Sequence, residues 1–271
     1  AADLIFSLVH GLKPEKALIP VPTFHEYEKA LASAGCRISY YYMKESFSFS
    51  LQEDFLSSIT KDLDIIFLCN PNNPTGHLLS RDFLKRILAK CKEYDILLVV
   101  DECFMDLIEA PEPFTLKQCS MDTKNLFVLK AFTKTYGMPG LRLGYGYSSN
   151  ENLLLKMKEV TQAWNVSLPA QMAGIAALKE TEYLKETALL MNEERRFLIN
   201  AINELGFTVY GSKANYVFFH GSKNLYEKCL AKGILIRDCS NYRGLEDGYY
   251  RIAVRKHEDN LKLIHILWEV I

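Results

Sequence analysis

The chain has 271 residues, 49% of them apolar, with 32 basic against 33 acidic side chains. That length can bury a large core and that composition excludes a disordered chain. A near-zero net charge leaves no footprint for nucleic acid or for an anionic membrane surface. The seven cysteines (Cys36, Cys69, Cys91, Cys103, Cys119, Cys229 and Cys239) are odd in number and include no CxxC pair. They argue against a disulfide framework or a thiolate zinc site, and for reduced thiols in a cytoplasmic protein. No apolar run reaches the roughly 18 residues of a bilayer span. No basic, then apolar, opening marks a secretory signal, and the six histidines show no metal-ligand spacing.

Along the chain, helical and strand patterns alternate. Residues 2–12 carry helical apolar spacing, 17–20 form a short apolar run, 27–34 read as a helix and 36–42 as an aromatic-rich strand. A continuous apolar run at 63–69 breaks at the turn Asn70-Pro71-Asn72-Asn73-Pro74. Ser80 is placed as the N-cap of a helix over 81–94. Apolar runs at 96–100, 126–129 and 141–147 are further strands. Continuous apolar strands separated by helices predict an α/β fold with a mainly parallel sheet buried on both faces. Beyond Asn150 come helices at 151–162, 169–179 and 181–205, strands at 207–209, 216–219, 234–236 and 251–254, and a closing helix at 258–270. This pattern predicts a large domain over 1–180 and a smaller α+β domain over 181–271. There are no internal repeats.

Ligands of parallel α/β folds sit at the carboxyl ends of strands, and Asn73, Asp101 and Lys134 each follow a strand. A lysine against apolar walls loses proton affinity, and its neutral amine can form a Schiff base with an aldehyde. A surface lysine with a snorkelling stem fits the residue alone as well. Asp101 alone reads equally as a helix N-cap, and Asn73 as turn chemistry.

Four segments resemble, in order, the motifs of the class I/II pyridoxal-phosphate aminotransferases of fold type I. They are Pro71-Asn72-Asn73-Pro74-Thr75-Gly76, Val99-Val100-Asp101-Glu102, the run from Phe127 through Lys134 to Tyr145, and Tyr250-Arg251-Ile252-Ala253-Val254. The resemblance covers essentially the whole chain and implies pyridoxal 5'-phosphate as cofactor. It implies a Schiff base at Lys134, a carboxylate at the pyridine nitrogen from Asp101, and an amide donor to the ring hydroxyl oxygen from Asn73. Phe24 is implied as the stacking plate. Arg142, Thr133 and the helix start at Ala1-Ala2-Asp3 are implied as the phosphate site. Arg251 is implied as the grip on the substrate carboxylate, with Asn73 also at the substrate. Two positions depart from the family. Ala131 lacks the hydroxyl many members carry, a loss worth about 0.5–1.5 kcal/mol, and Phe104 stands where most have tyrosine.

Within the family the chain resembles the branch of histidinol-phosphate aminotransferases and threonine-phosphate decarboxylases. The run Ile236-Arg237-Asp238-Cys239-Ser240-Asn241-Tyr242-Arg243-Gly244-Leu245 and Phe104 look more like the decarboxylase. On local motifs alone the two activities are close to even; the expected activity is transamination of a small amino compound that carries phosphate, with Lys134 as the base that moves the Cα proton. Decarboxylation is the alternative. The resemblance also implies a homodimer with shared active sites, and an N-terminal segment upstream of Ala1 that forms part of the site. Two readings from other classes are a dinucleotide-binding protein, which would need a GxGxxG turn that is absent, and an inactive fragment or interaction module.

Overall fold

The computed structural model describes residues 1–271. Its first sheet consists of β1 (Lys16–Val21), β2 (Arg37–Tyr42), β3 (Ile65–Cys69), β4 (Leu97–Asp101), β5 (Leu126–Ala131) and β6 (Gly144–Tyr147) in the order β2-β1-β3-β4-β5-β6. The first five strands run parallel, and β6 pairs antiparallel with β5. The helices are α1 (Ala2–Leu12), α2 (Glu26–Ser33), α3 (Arg81–Glu93), the short α4 (Phe132–Thr135), α5 (Glu151–Val160), α6 (Leu168–Ala177), α7 (Thr181–Glu204), α8 (Leu225–Ala231) and α9 (His257–Val270). A second, antiparallel sheet joins β7 (Thr208–Val209), β8 (Tyr216–His220), β9 (Arg237–Asp238) and β10 (Tyr249–Ala253) in the order β7-β8-β10-β9.

Every residue of β3, β4 and β5 is buried, because the central strands meet apolar helices on both faces. Alternation assigns the faces. Ile65, Phe67, Cys69, Leu97, Val99, Phe127, Leu129 and Ala131 pack with α1, α2 and α5 residues such as Leu8, Tyr27 and Leu153. Ile66, Leu68, Leu98, Val100, Leu126 and Val128 pack with Phe83, Leu84 and Ile87 of α3. Ser80 caps α3 as its position in the sequence requires, its hydroxyl accepting from Phe83 N–H at 3.2 Å. The second sheet packs Val217, Phe219, Tyr250 and Ile252 on α7 and α9 through Leu198, Ile202, Leu263 and Leu267. A further apolar cluster, including Phe49, Tyr210, Phe218, Cys239 and Tyr242, lies between segment 43–51 and the second sheet.

Two expected strands are different in the structure. Residues 234–236 form no strand, and pairing starts at Arg237, opposite Arg251. Gly233, at φ +81°, turns the chain out of α8, and Leu235 is 71% exposed, so the apolar triplet never enters the ladder. The run at 141–147 is shortened to 144–147, because Pro139–Leu141 forms a 3-10 turn and Arg142 adopts φ 56°.

Candidate active site

The strand ends of the first sheet converge on a cleft of about 450 Å³. Asp101, the last residue of β4, is 5% exposed on its floor. Its carboxylate accepts from the Tyr27 hydroxyl at 2.6 Å and from Cys103 N–H at 3.0 Å. Burial, and then the Asp101 charge, push the Tyr27 phenol well above its ordinary pKa. The same two causes raise the Cys103 thiol. The proton between Tyr27 and Asp101 therefore stays on the phenol, and the carboxylate is fixed as an acceptor.

Lys134 lies in α4, the single turn that follows β5. Its side chain reaches solvent at the mouth of the cleft, while its Nζ stands 5.8 Å from the centre of the Phe104 ring. The amine's pKa is lowered, first by partial burial among the cleft walls and then by the neighbouring Arg251, with Arg142 adding to the effect. A second lysine, Lys130, points to the opposite face of the sheet. It is 4% exposed and bonded to Asp106 at 2.5 Å, with the fully buried Glu102 at 3.8 Å. Lys130, on the strand, is thus locked in an ion pair, while Lys134, four residues on in the turn after the strand, stands at the mouth of the cleft.

Asn73, in the turn after β3, is 6% exposed. Its Oδ1 accepts from the Arg251 guanidinium and from the Tyr242 hydroxyl at 3.1 Å. This leaves its NH₂ without a protein acceptor at the cleft wall. The turn is anchored by Asn72, which accepts from Thr23 Oγ1 at 2.9 Å, donates to Pro22 O at 3.0 Å, and receives the Tyr216 hydroxyl on its carbonyl at 2.8 Å. Gly76 closes the turn at φ +74°, and a Cβ there would lie 2.1 Å from Ser212 Oγ. Arg251 itself lies over the Tyr216 ring at 5.0 Å.

Ala1, Ala2, Phe24, Thr133, Arg142 and Ala131 complete the walls expected from the sequence. Gly144 lets the start of α1 approach β6, since a Cβ there would sit 2.5 Å from the Ala1 nitrogen. Asp3 is the exception. It does not line the cleft, and its carboxylate is bonded by Asn165 at 3.1 Å, so only its backbone N–H is available to the site. Sequence reasoning did not single out His25, Arg237 and Tyr242 as cleft walls. Arg237 stacks over Tyr242 at 5.5 Å and donates to Asn241 Oδ1 at 2.9 Å, with no carboxylate partner. A second cavity of about 540 Å³ continues past Phe104, Lys134, Arg237 and Arg251 along β10 and α9.

The donor set fits a phosphorylated pyridine aldehyde. An amine of lowered basicity, a fixed carboxylate, a free amide NH₂, an aromatic wall, and a guanidinium beside the open start of a helix each match one part of that molecule. No helix is long and apolar enough to cross a membrane, and no group of three or more His, Cys, Asp or Glu side chains is placed to hold a metal ion.

The fold and the cleft define an α/β enzyme of fold type I, with Lys134 at the mouth of its cleft. Comparison with known proteins gives the family: the aminotransferase class I and II profile matches residues 1–267, and the chain belongs to that family, whose cofactor is pyridoxal 5'-phosphate. The chain is 37% identical to a threonine-phosphate decarboxylase from Salmonella typhimurium, over 99% of this chain and 74% of that protein. It is 33% identical to a histidinol-phosphate aminotransferase from Methanosphaera stadtmanae, over 93% of this chain and 68% of the relative. Among solved structures it is similar to the histidinol-phosphate aminotransferase from Clostridium acetobutylicum, with a TM-score of 0.93, 31% identity, and coverage of 100% of this chain and 81% of that one.

Proposed function

We propose that the chain acts on a small amino compound that carries a phosphate, with Lys134 as its cofactor anchor and proton carrier. The observation behind this reading is the charge of the cleft: Lys134, Arg142, Arg237 and Arg251 surround one acid, Asp101. Arg142 and the α1 amides hold the cofactor phosphate, Thr133 adds a hydroxyl, and Phe24 covers one ring face and excludes water. Asp101 holds a proton at the pyridine nitrogen, and Asn73 directs its NH₂ to the ring oxygen. When bound, pyridoxal phosphate supplies an electron sink for bonds broken at the substrate Cα. Lys134, with its lowered basicity, accepts and returns the Cα proton. Arg237 and Arg251 remain for the substrate's own anionic groups.

Transamination of a phosphorylated amino compound, as the name histidinol-phosphate aminotransferase describes, is the first reading. Decarboxylation of a phosphorylated amino acid is the second, and two features favour it. Arg237 and Arg251 offer two guanidinium groups to a substrate with two anions, a carboxylate and a phosphate. Phe104 also contributes no hydroxyl to the cleft, as in sequences resembling the decarboxylase. A panel of histidinol phosphate and threonine phosphate tests the proposal, scoring keto-acid-dependent amino transfer against carbon dioxide release. Turnover of neither, with turnover of an unphosphorylated amino acid, would overturn it.

The working form is proposed to be a homodimer. Leu168, Met172, Ile175 and Leu178, on and just beyond α6, are each 58–68% exposed at helical spacing, an apolar stripe suited to a second copy. Seven free thiols, six of them buried, suit a reducing, cytoplasmic setting.

A further inference from the structure

We propose that Arg243 and Glu28 form a latch that seats Tyr242 over the cleft, which makes them positioning residues for the substrate. The inference rests on the reading of the cleft as a substrate site. Arg243 lies in the loop between β9 and β10, and Glu28 lies in α2 beside the first sheet. The guanidinium donates through two of its nitrogens to both Glu28 oxygens, with Nε at 3.1 Å, and stacks over the Tyr40 ring at 4.3 Å. Arg243 holds the Glu28 carboxyl below its ordinary pKa, while burial and then Glu28 push the Tyr40 phenol up to about 12. A two-pronged ion pair backed by an aromatic face is stronger than a typical exposed pair.

The latch acts on Tyr242 through the chain itself. Tyr242 precedes Arg243, is 5% exposed, and bonds Asn73 Oδ1, which Arg251 also holds. Its ring is the platform for Arg237. The loop turns through Tyr242 N–H to Cys239 O and Leu245 N–H to Tyr242 O, both at 3.0 Å, with Gly244 at φ +86° against the Tyr42 ring. Arg243 and Glu28 border a neighbouring groove that shares Phe24, His25 and Tyr242 with the 450 Å³ cleft, and neither lines the cleft itself. They therefore act on the substrate indirectly, through the loop that carries Tyr242. Cys239 and Tyr242 also pack in the apolar cluster between segment 43–51 and the second sheet, so the loop stays folded when the pair is broken, and what changes is how firmly Tyr242 is held.

The test uses the full chain with Glu28→Arg, Arg243→Glu and the double exchange. Three quantities are read: pyridoxal phosphate affinity, KM and kcat for the phosphorylated substrate, and hydrogen exchange across residues 239–245. Each single reversal should raise KM about five- to tenfold, leave kcat and cofactor affinity within about twofold, and speed exchange in the loop, and the double exchange should bring both back to within about threefold of the parent. Unchanged exchange and KM in the single variants would overturn the latch, as would a double variant no better than the worse single one. If the parent bound no pyridoxal phosphate and turned over no substrate, the proposed function would fall, while the exchange measurement would still decide the latch.

Discussion

Arg251 of β10 donates to Asn73 Oδ1 in the turn after β3, a bond between residues 178 positions apart in sequence. It joins the second sheet to the wall of the cleft and puts the Arg251 guanidinium and the Asn73 amide in one network with Tyr242. Lysine at this position keeps the charge but not the planar fork, so Arg251→Lys is not a conservative change. Steady-state kinetics should show KM for the phosphorylated substrate raised at least about tenfold, with cofactor binding retained. A KM within twofold of the parent would remove Arg251 from the substrate site.

Asp101→Ala should abolish turnover while the fold survives. In the proposed chemistry the carboxylate accepts a hydrogen bond from the protonated pyridine nitrogen and keeps it protonated, and a kcat loss of at least about a hundredfold is expected, about 2.7 kcal/mol of barrier. The Tyr27 hydroxyl also loses its acceptor, at a cost of about 1–3 kcal/mol in stability. Circular dichroism and kinetics on one preparation separate the two effects. Turnover within tenfold of the parent would show that Asp101 is not the pyridine partner.

The central strands and their site residues were legible because burial on both faces leaves an unbroken apolar run, with the first polar residue marking the strand end. Asp101 at the end of β4 is read this way, and Ser80 before α3 is read from its place ahead of a helical pattern. The run at 234–236 misled because apolar content specifies burial or exposure only with a partner strand, and β9 begins at Arg237. Tyr242 and His25 were not legible as cleft walls, since their positions depend on contacts such as Tyr242–Asn73, 169 residues apart. Arg237 left one signal, a cation beside an apolar triplet, which helix ends and strand edges also produce.

Lys134 sets a pH dependence of stability in the cofactor-free protein. Its folded pKa is below the unfolded value, so the unfolded chain binds more protons between the two and stability rises with pH across that window. The penalty of holding the charged amine is fully present below the folded pKa and is lost as pH rises past the ordinary lysine value. Lys134→Met should therefore raise the Tm of the cofactor-free protein at pH 7, and the gain should shrink toward pH 10. Thermal unfolding of both proteins across that range checks the sign. A lower Tm at pH 7 would show that the amine is not strained.

Ala131, 6% exposed at the end of β5, lines the cleft beside Thr133 and Arg142. Ala131→Ser supplies the hydroxyl that the family resemblance implies at this position. The dissociation constant for pyridoxal phosphate, followed by absorbance titration, should fall about two- to tenfold, the effect of one added hydrogen bond. An unchanged constant would separate this position from the phosphate.

Borohydride trapping of the bound cofactor, followed by peptide mapping, tests the central claim most directly. The pyridoxyl group is expected on the peptide containing Lys134 and not on Lys130, which is buried in its pair with Asp106. Lys134→Arg should remove the label while leaving the fold intact. Label on any other lysine of the parent protein, or none after saturation with pyridoxal phosphate, would contradict it.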